Sequence, residues 1–168
     1  MKFQRPQFRK SYVLKVIVNS IIYRIDLCKF NVEKNEWESK KDIFEVEKST
    51  DIPSLSASAV DLDYSNEVWF TAETFINPTT LYISNVDNWW NGNGMETFGN
   101  AIKLKQQPSF FNPKGIVSQQ RFTTSKDGTR IPYFIIGKNL NDTKPKRTLL
   151  YGYGGFEVSL DPYYSGMN

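Results

Sequence analysis

Histidine is missing from all 168 residues of the chain, so the most common general base in proteins has no candidate here. Cysteine occurs once, at Cys28, which excludes an internal disulfide and a cysteine-built metal site. With neither histidine nor a second cysteine the usual nitrogen and sulfur donors for zinc or haem are lacking, and no metal or cofactor is expected. A lone thiol without a base beside it reads as a half-buried strand residue rather than a nucleophile. The nucleophile-elbow pattern Gly-x-Ser-x-Gly is also absent. No apolar run approaches the ~18 residues that would span a membrane, so no membrane partner is expected. The net charge is only +3 and its basic residues are spread along the length. No basic stripe alternates with aromatics, which argues against a nucleic-acid partner.

The N-terminus needs separate reading. Met1 to Lys10 is basic and Tyr12 to Val18 is apolar, in the manner of a signal peptide. Lys15, Asn19 and Arg24 interrupt that pattern and no small-residue cleavage site follows, so a pair of strands is the better account. A cytoplasmic location is the resulting expectation.

What is abundant is strand chemistry. Aromatics make up 15% of the chain, and Val, Ile, Thr, Tyr, Phe and Trp dominate the apolar runs. Strands are expected at 12–18, 21–27, 42–47, 57–62, 67–74, 80–84, 101–105, 117–124, 131–137 and 147–153, with no amphipathic helix of ten or more residues. Polar turns separate them, such as Val32 to Glu36, Asp63 to Asn66, Phe75 to Pro78 and Asn91 to Gly94. The run from Asp61 through Ala72 to Ile83 reads as a meander, the pattern of a propeller blade. The first ~110 residues would supply about two blades, where a closed propeller has at least four. Punctuation by Pro113 and Gly115 after Phe110-Phe111 marks a linker. Beyond it, Asp127-Gly128 between two apolar runs is a strong hairpin signal. A polar loop from Gly137 to Arg147 then leads into Thr148-Leu149-Leu150-Tyr151-Gly152-Tyr153-Gly154-Gly155-Phe156.

Ser125-Lys126-Asp127-Gly128-Thr129-Arg130-Ile131-Pro132, a polar loop, and then Leu150 to Phe156 resembles the prolyl oligopeptidase family of serine peptidases. Upstream, Phe70-Thr71 and Phe75 to Tyr82 look like that family's last propeller blade, so the resemblance covers roughly 42–166. It implies a mainly β chain: partial β-propeller blades over residues 1–113, followed by the opening strands of an α/β-hydrolase domain over 114–168. Gly154-Gly155-Phe156 resembles the proline-specific members, where sister oligopeptidases that cut after basic residues tend to carry Ser-Tyr. By resemblance Tyr153 would offer its hydroxyl to the oxyanion, Phe156 would line the pocket for the substrate's proline side, and Gly152, Gly154 and Gly155 would form the loop. Short proline-containing peptides would be the substrates of the complete enzyme. One oxyanion donor is worth on the order of 3 kcal/mol in the transition state, and glycines let the backbone turn tightly beside a substrate.

Family order puts Ser, Asp and His downstream of this loop. The chain is therefore expected to be an internal piece of such an enzyme, inactive alone, with a complementary chain as the partner that would carry the triad. The rival expectation is a self-contained, non-catalytic β-rich binding module using Trp89-Trp90 or the basic N-terminus. Three other signals carry less. Trp89 to Gly94 reads as an aromatic-stapled turn rather than an exposed platform. Asp61 and Asp63, expected on one strand face, are too few for a calcium cage. Gly152-x-Gly154-Gly155 lacks the spacing and the following helix of a dinucleotide fingerprint.

Overall fold

The computed structural model describes residues 11–18, 22–45, 53–91, 101–156, 158 and 160–166. Nine strands and one short helix occur among them, arranged as three antiparallel sheets. The mainly β character expected from composition is therefore what the chain adopts.

The first sheet joins β1 (Ser11–Val18), β2 (Ile22–Asn31) and β3 (Glu36–Glu45) in sequence order. Its second corner is made locally. Asn31 Oδ1 accepts the amides of Glu33 and Lys34, and Asn35 takes the left-handed conformation (φ 53°) that asparagine tolerates. This closes the Val32–Asn35 turn and sets Phe30 opposite Trp37, with ring centroids 5.3 Å apart. The expected turn is present, but the strand after it begins at Glu36 and not at residue 42. The polar Glu36-Trp37-Glu38-Ser39 stretch concealed it, because an exposed strand needs no apolar alternation. Cys28 sits in β2 and is half-buried, as its isolation suggested.

The second sheet is a four-stranded meander of β4 (Ser54–Ala59), β5 (Glu67–Glu73), β6 (Thr80–Asn85) and β7 (Ile102–Gln106). Val68 and Phe70 lie two apart on one face of β5, and both are buried. With Val86 they form the core cluster, against which Tyr82, Trp90 and Ala101 pack. Phe70 stands opposite Tyr82 on β6, the rings stacked at 4.8 Å. Val86 comes from α1 (Val86–Asn91), which starts where Asn85 Oδ1 accepts the Asp87 amide. Trp89 and Trp90 thus lie in this helix and Trp90 packs against the core, while residues 92–94 of the expected aromatic-stapled turn lie outside the described residues.

Two expectations in this region are corrected. The strand expected at 57–62 runs from Ser54 to Ala59. Asp61 therefore lies in the following turn and not on a strand face, its Oδ1 accepting the amides of Asp63 and Tyr64. That carboxylate is occupied in holding a turn.

The third sheet is a hairpin of β8 (Ile116–Thr124) and β9 (Arg130–Lys138). Its corner is the Asp-Gly turn read from sequence. Gly128 takes φ +86°, its amide donates to Ser125 O, and Asp127 Oδ1 accepts both the Thr129 amide and the Ser125 hydroxyl. The strand expected at 147–153 does not form. Among the described residues β8 and β9 pair only with each other, and a segment with strand-forming side chains is not a strand until its backbone has a ladder partner. Leu149 and Leu150 are consequently 87% and 94% exposed. No helix among the described residues is long and apolar enough to cross a membrane.

Candidate functional site

The glycine-rich segment leaves the third sheet through a loop tied at its base. The Lys146 ammonium donates to the carbonyls of Lys138 and Asn139, and the Thr148 hydroxyl donates to Lys146 O. From Thr148 to Phe156 the backbone is irregular, and its side chains are open to solvent.

Tyr153 is half-exposed, and its hydroxyl makes no hydrogen bond to another described residue. Its ring folds back over Gly155, where an added Cβ would lie 3.3 Å from the hydroxyl oxygen. A side chain at Gly152 or Gly154 would meet only open space. The turn closes where the Val158 amide donates to Gly155 O at 3.2 Å. Within it Phe156 adopts φ 56°, a left-handed conformation that is uncommon for a bulky residue, and its ring is 94% exposed. Tyr153 and Phe156 therefore share one short exposed loop. The loop presents one phenol donor, one apolar ring and backbone that is open at Gly152 and Gly154. Such a set can stabilise a developing negative charge and grip an apolar group, but it has no nucleophile or base.

Residues that sequence reasoning missed lie just beyond. Pro162 is fully buried and Tyr164 is 8% exposed. The Tyr164 ring stacks on Phe110 and Phe111 at 5.8 and 5.3 Å, and its hydroxyl accepts the Phe110 amide at 2.8 Å. The Tyr164 amide donates at 3.2 Å to Glu73 Oε2, which also accepts the Thr79 hydroxyl at 2.7 Å. Phe75, from the same β5–β6 corner, lies edge-on to Phe134 of β9 at 5.1 Å and tilted to Tyr163 at 6.5 Å. The available signal was two aromatic pairs beside prolines, Phe110-Phe111 before Pro113 and Tyr163-Tyr164 after Pro162. Among the described residues no cluster of His, Cys, Asp or Glu could hold a metal ion.

No protein-family model matches the chain. Individual relatives do. An uncharacterized peptidase, y4nA, of Sinorhizobium fredii is 31% identical over 164 residues, covering 96% of this chain and 20% of that protein. A prolyl endopeptidase of Elizabethkingia meningoseptica is 36% identical over 103 residues, covering 61% of this chain and 13% of the relative. Among solved structures, prolyl oligopeptidase B of Galerina marginata covers 93% of this chain and 27% of its own, at 18% identity and a TM-score of 0.49. The chain thus spans a fifth or less of the length of these two curated relatives.

Proposed function

We propose that this chain, which belongs to the prolyl oligopeptidase family, is the part of a proline-specific serine peptidase that joins the end of a β-propeller to the start of the peptidase domain. In this reading β1–β3 and β4–β7 belong to blades within residues 1–113, and β8–β9 with the glycine-rich loop open an α/β-hydrolase domain over 114–168. Short proline-containing peptides are the substrates of the complete enzyme, and a complementary chain or segment carries the triad. The reading rests on one observation above all. Tyr153 stands in an exposed Gly-x-Gly-Gly loop with its hydroxyl unengaged by any other described residue, in a chain whose relatives include prolyl endopeptidases.

The division of labour follows from chemistry. When a serine alkoxide adds to the peptide carbonyl, negative charge collects on the carbonyl oxygen, and a phenol O–H aimed at that oxygen stabilises the transition state more than the ground state. Tyr153 would be that donor. Phe156, held outward by its left-handed backbone, would pack against the pyrrolidine ring of the substrate. Gly152 and Gly154 leave room for the substrate to approach, and Gly155 makes room for the Tyr153 ring.

The test restores the missing parts by fusing this chain between the propeller start and the catalytic remainder of a family member. In that enzyme Tyr153→Phe should lower kcat by roughly tenfold to a thousandfold with little change in KM, the pattern of a donor that acts on the transition state. Phe156→Ala should instead raise KM, through lost apolar contact of ~1–3 kcal/mol. An active fusion whose kcat is indifferent to Tyr153→Phe rejects the oxyanion role.

A further inference from the structure

We infer that the Pro162–Gly166 segment is a clasp that locks the Ser109–Phe111 connection onto the β5–β6 corner and thereby tethers the downstream end of the glycine-rich loop.

Three attachments of different kinds converge there. The first is polar and specific. The Tyr164 hydroxyl accepts the Phe110 amide at 2.8 Å and lies 3.3 Å from Ser109 Oγ, bridging 54 and 55 residues of sequence. The second reaches the meander, where the Tyr164 amide donates to Glu73 across 91 residues. The third is steric. A Cβ on Gly166 would fall 2.8 Å from both Cβ and Cγ of Phe110, so the backbone there is packed directly against that side chain. Buried Pro162 lies at the start of this segment, with a ring that restricts the backbone and lowers the entropy lost on docking. Exposure agrees with the geometry: Leu150 and Phe156 are each 94% exposed, while Tyr164 is 8% exposed. Closing loops of this length costs conformational entropy that grows only slowly with length, so a few good contacts suffice to hold them.

The consequence for the loop is a tether. Residues 157–161 alone separate Phe156 from Pro162, so Phe156 cannot move further than about 20 Å from the clasp even with the chain fully extended. With the Lys146 tie upstream, both ends of the Gly152–Phe156 loop are referenced to formed sheets while its centre stays open.

Amide exchange at Phe110 in the full chain tests the clasp. Tyr164→Phe keeps the ring but removes the acceptor, and Phe110 should exchange roughly tenfold faster, as expected for one lost hydrogen bond. Gly166→Ala should also accelerate it, by displacing Phe110, whereas Tyr163→Phe should leave it unchanged. Phe110 exchange that is indifferent to both Tyr164→Phe and Gly166→Ala overturns the inference. A measurement on the unmutated chain covers the case in which these variants fold poorly. With the Phe110 and Tyr164 ring centroids 5.8 Å apart, nuclear Overhauser contacts between the two rings are expected, and their absence refutes the clasp as surely as unaltered exchange.

Discussion

Truncating Phe70 should remove a large share of the stability of the chain, and the size of the loss can be worked from its surroundings. Phe70 is 2% exposed, stacks on Tyr82 with its ring centroid 4.8 Å away, and belongs to the core cluster with Val68 and Val86. Cutting a buried Phe to Ala costs about 3–5 kcal/mol, transfer and cavity terms together. A folded domain has only about 5–15 kcal/mol in total. With a urea slope of about 2 kcal/mol/M, a loss near 4 kcal/mol lowers the unfolding midpoint by about 2 M. Leu150→Ala is the matched comparison. That side chain is 94% exposed, so its removal should change stability by less than about 0.5 kcal/mol. Equilibrium urea unfolding at low protein concentration, followed by tryptophan fluorescence, measures both. A Phe70→Ala loss under about 1 kcal/mol, or an equal loss for Leu150→Ala, would show that the core does not lie where the meander places it.

Four further outcomes are expected. Asp127, whose carboxyl is held down to about 2 chiefly by the Ser125 hydroxyl and then by the Thr129 amide, is depressed relative to its ordinary value. Its contribution to hairpin stability is therefore present above pH ~4 and lost as pH falls toward 2; Asp127→Asn should flatten that limb of a stability–pH profile, and an unaltered limb counts against the turn. Phe156→Gly should relieve a left-handed backbone and raise stability by about 1 kcal/mol, a gain that thermal melts would detect or deny. Leu149→Lys with Leu150→Lys should suppress concentration-dependent association of the isolated chain, because those exposed side chains lie beside an unpaired backbone; sedimentation that is identical for both chains would contradict this. Having neither histidine nor an elbow serine, the chain alone should not be labelled by a fluorophosphonate probe, and stoichiometric labelling would reverse that reading.

What sequence made legible follows the range of the forces involved. The Asp127-Gly128 hairpin was readable because a positive φ at glycine and an aspartate accepting nearby donors act within five residues. The Val32–Asn35 corner was readable for the same reason, with Asn31 and Asn35 supplying the chemistry. In the meander β5, β6 and β7 were close to their observed bounds, β5 because Val68 and Phe70 alternate with less buried neighbours, whereas β4 was expected three residues too late. The start of β3 was not, since an exposed strand rich in Glu, Ser and Lys carries no burial pattern. The short helix α1 was missed because one turn is too brief to show a period, though its cap, Asn85, was in view.

The glycine-rich region shows both limits together. Thr148-Leu149-Leu150-Tyr151 has every local property of a strand, yet strand formation is a pairing property, and no described backbone lies beside it to complete a ladder. Propensity there states what the segment requires of a neighbour and not what it does alone. Tyr164 fails in the opposite direction. Nothing within its own few residues announces burial, because the partners that bury it, Phe110 and Glu73, are 54 and 91 residues away. The exposed Tyr153 and the buried Tyr164 are the same residue type in the same stretch of chain. Their different burial is set by distant contacts: Tyr164 gains a partner at both its amide and its hydroxyl, and Tyr153 hydrogen-bonds to no other described residue.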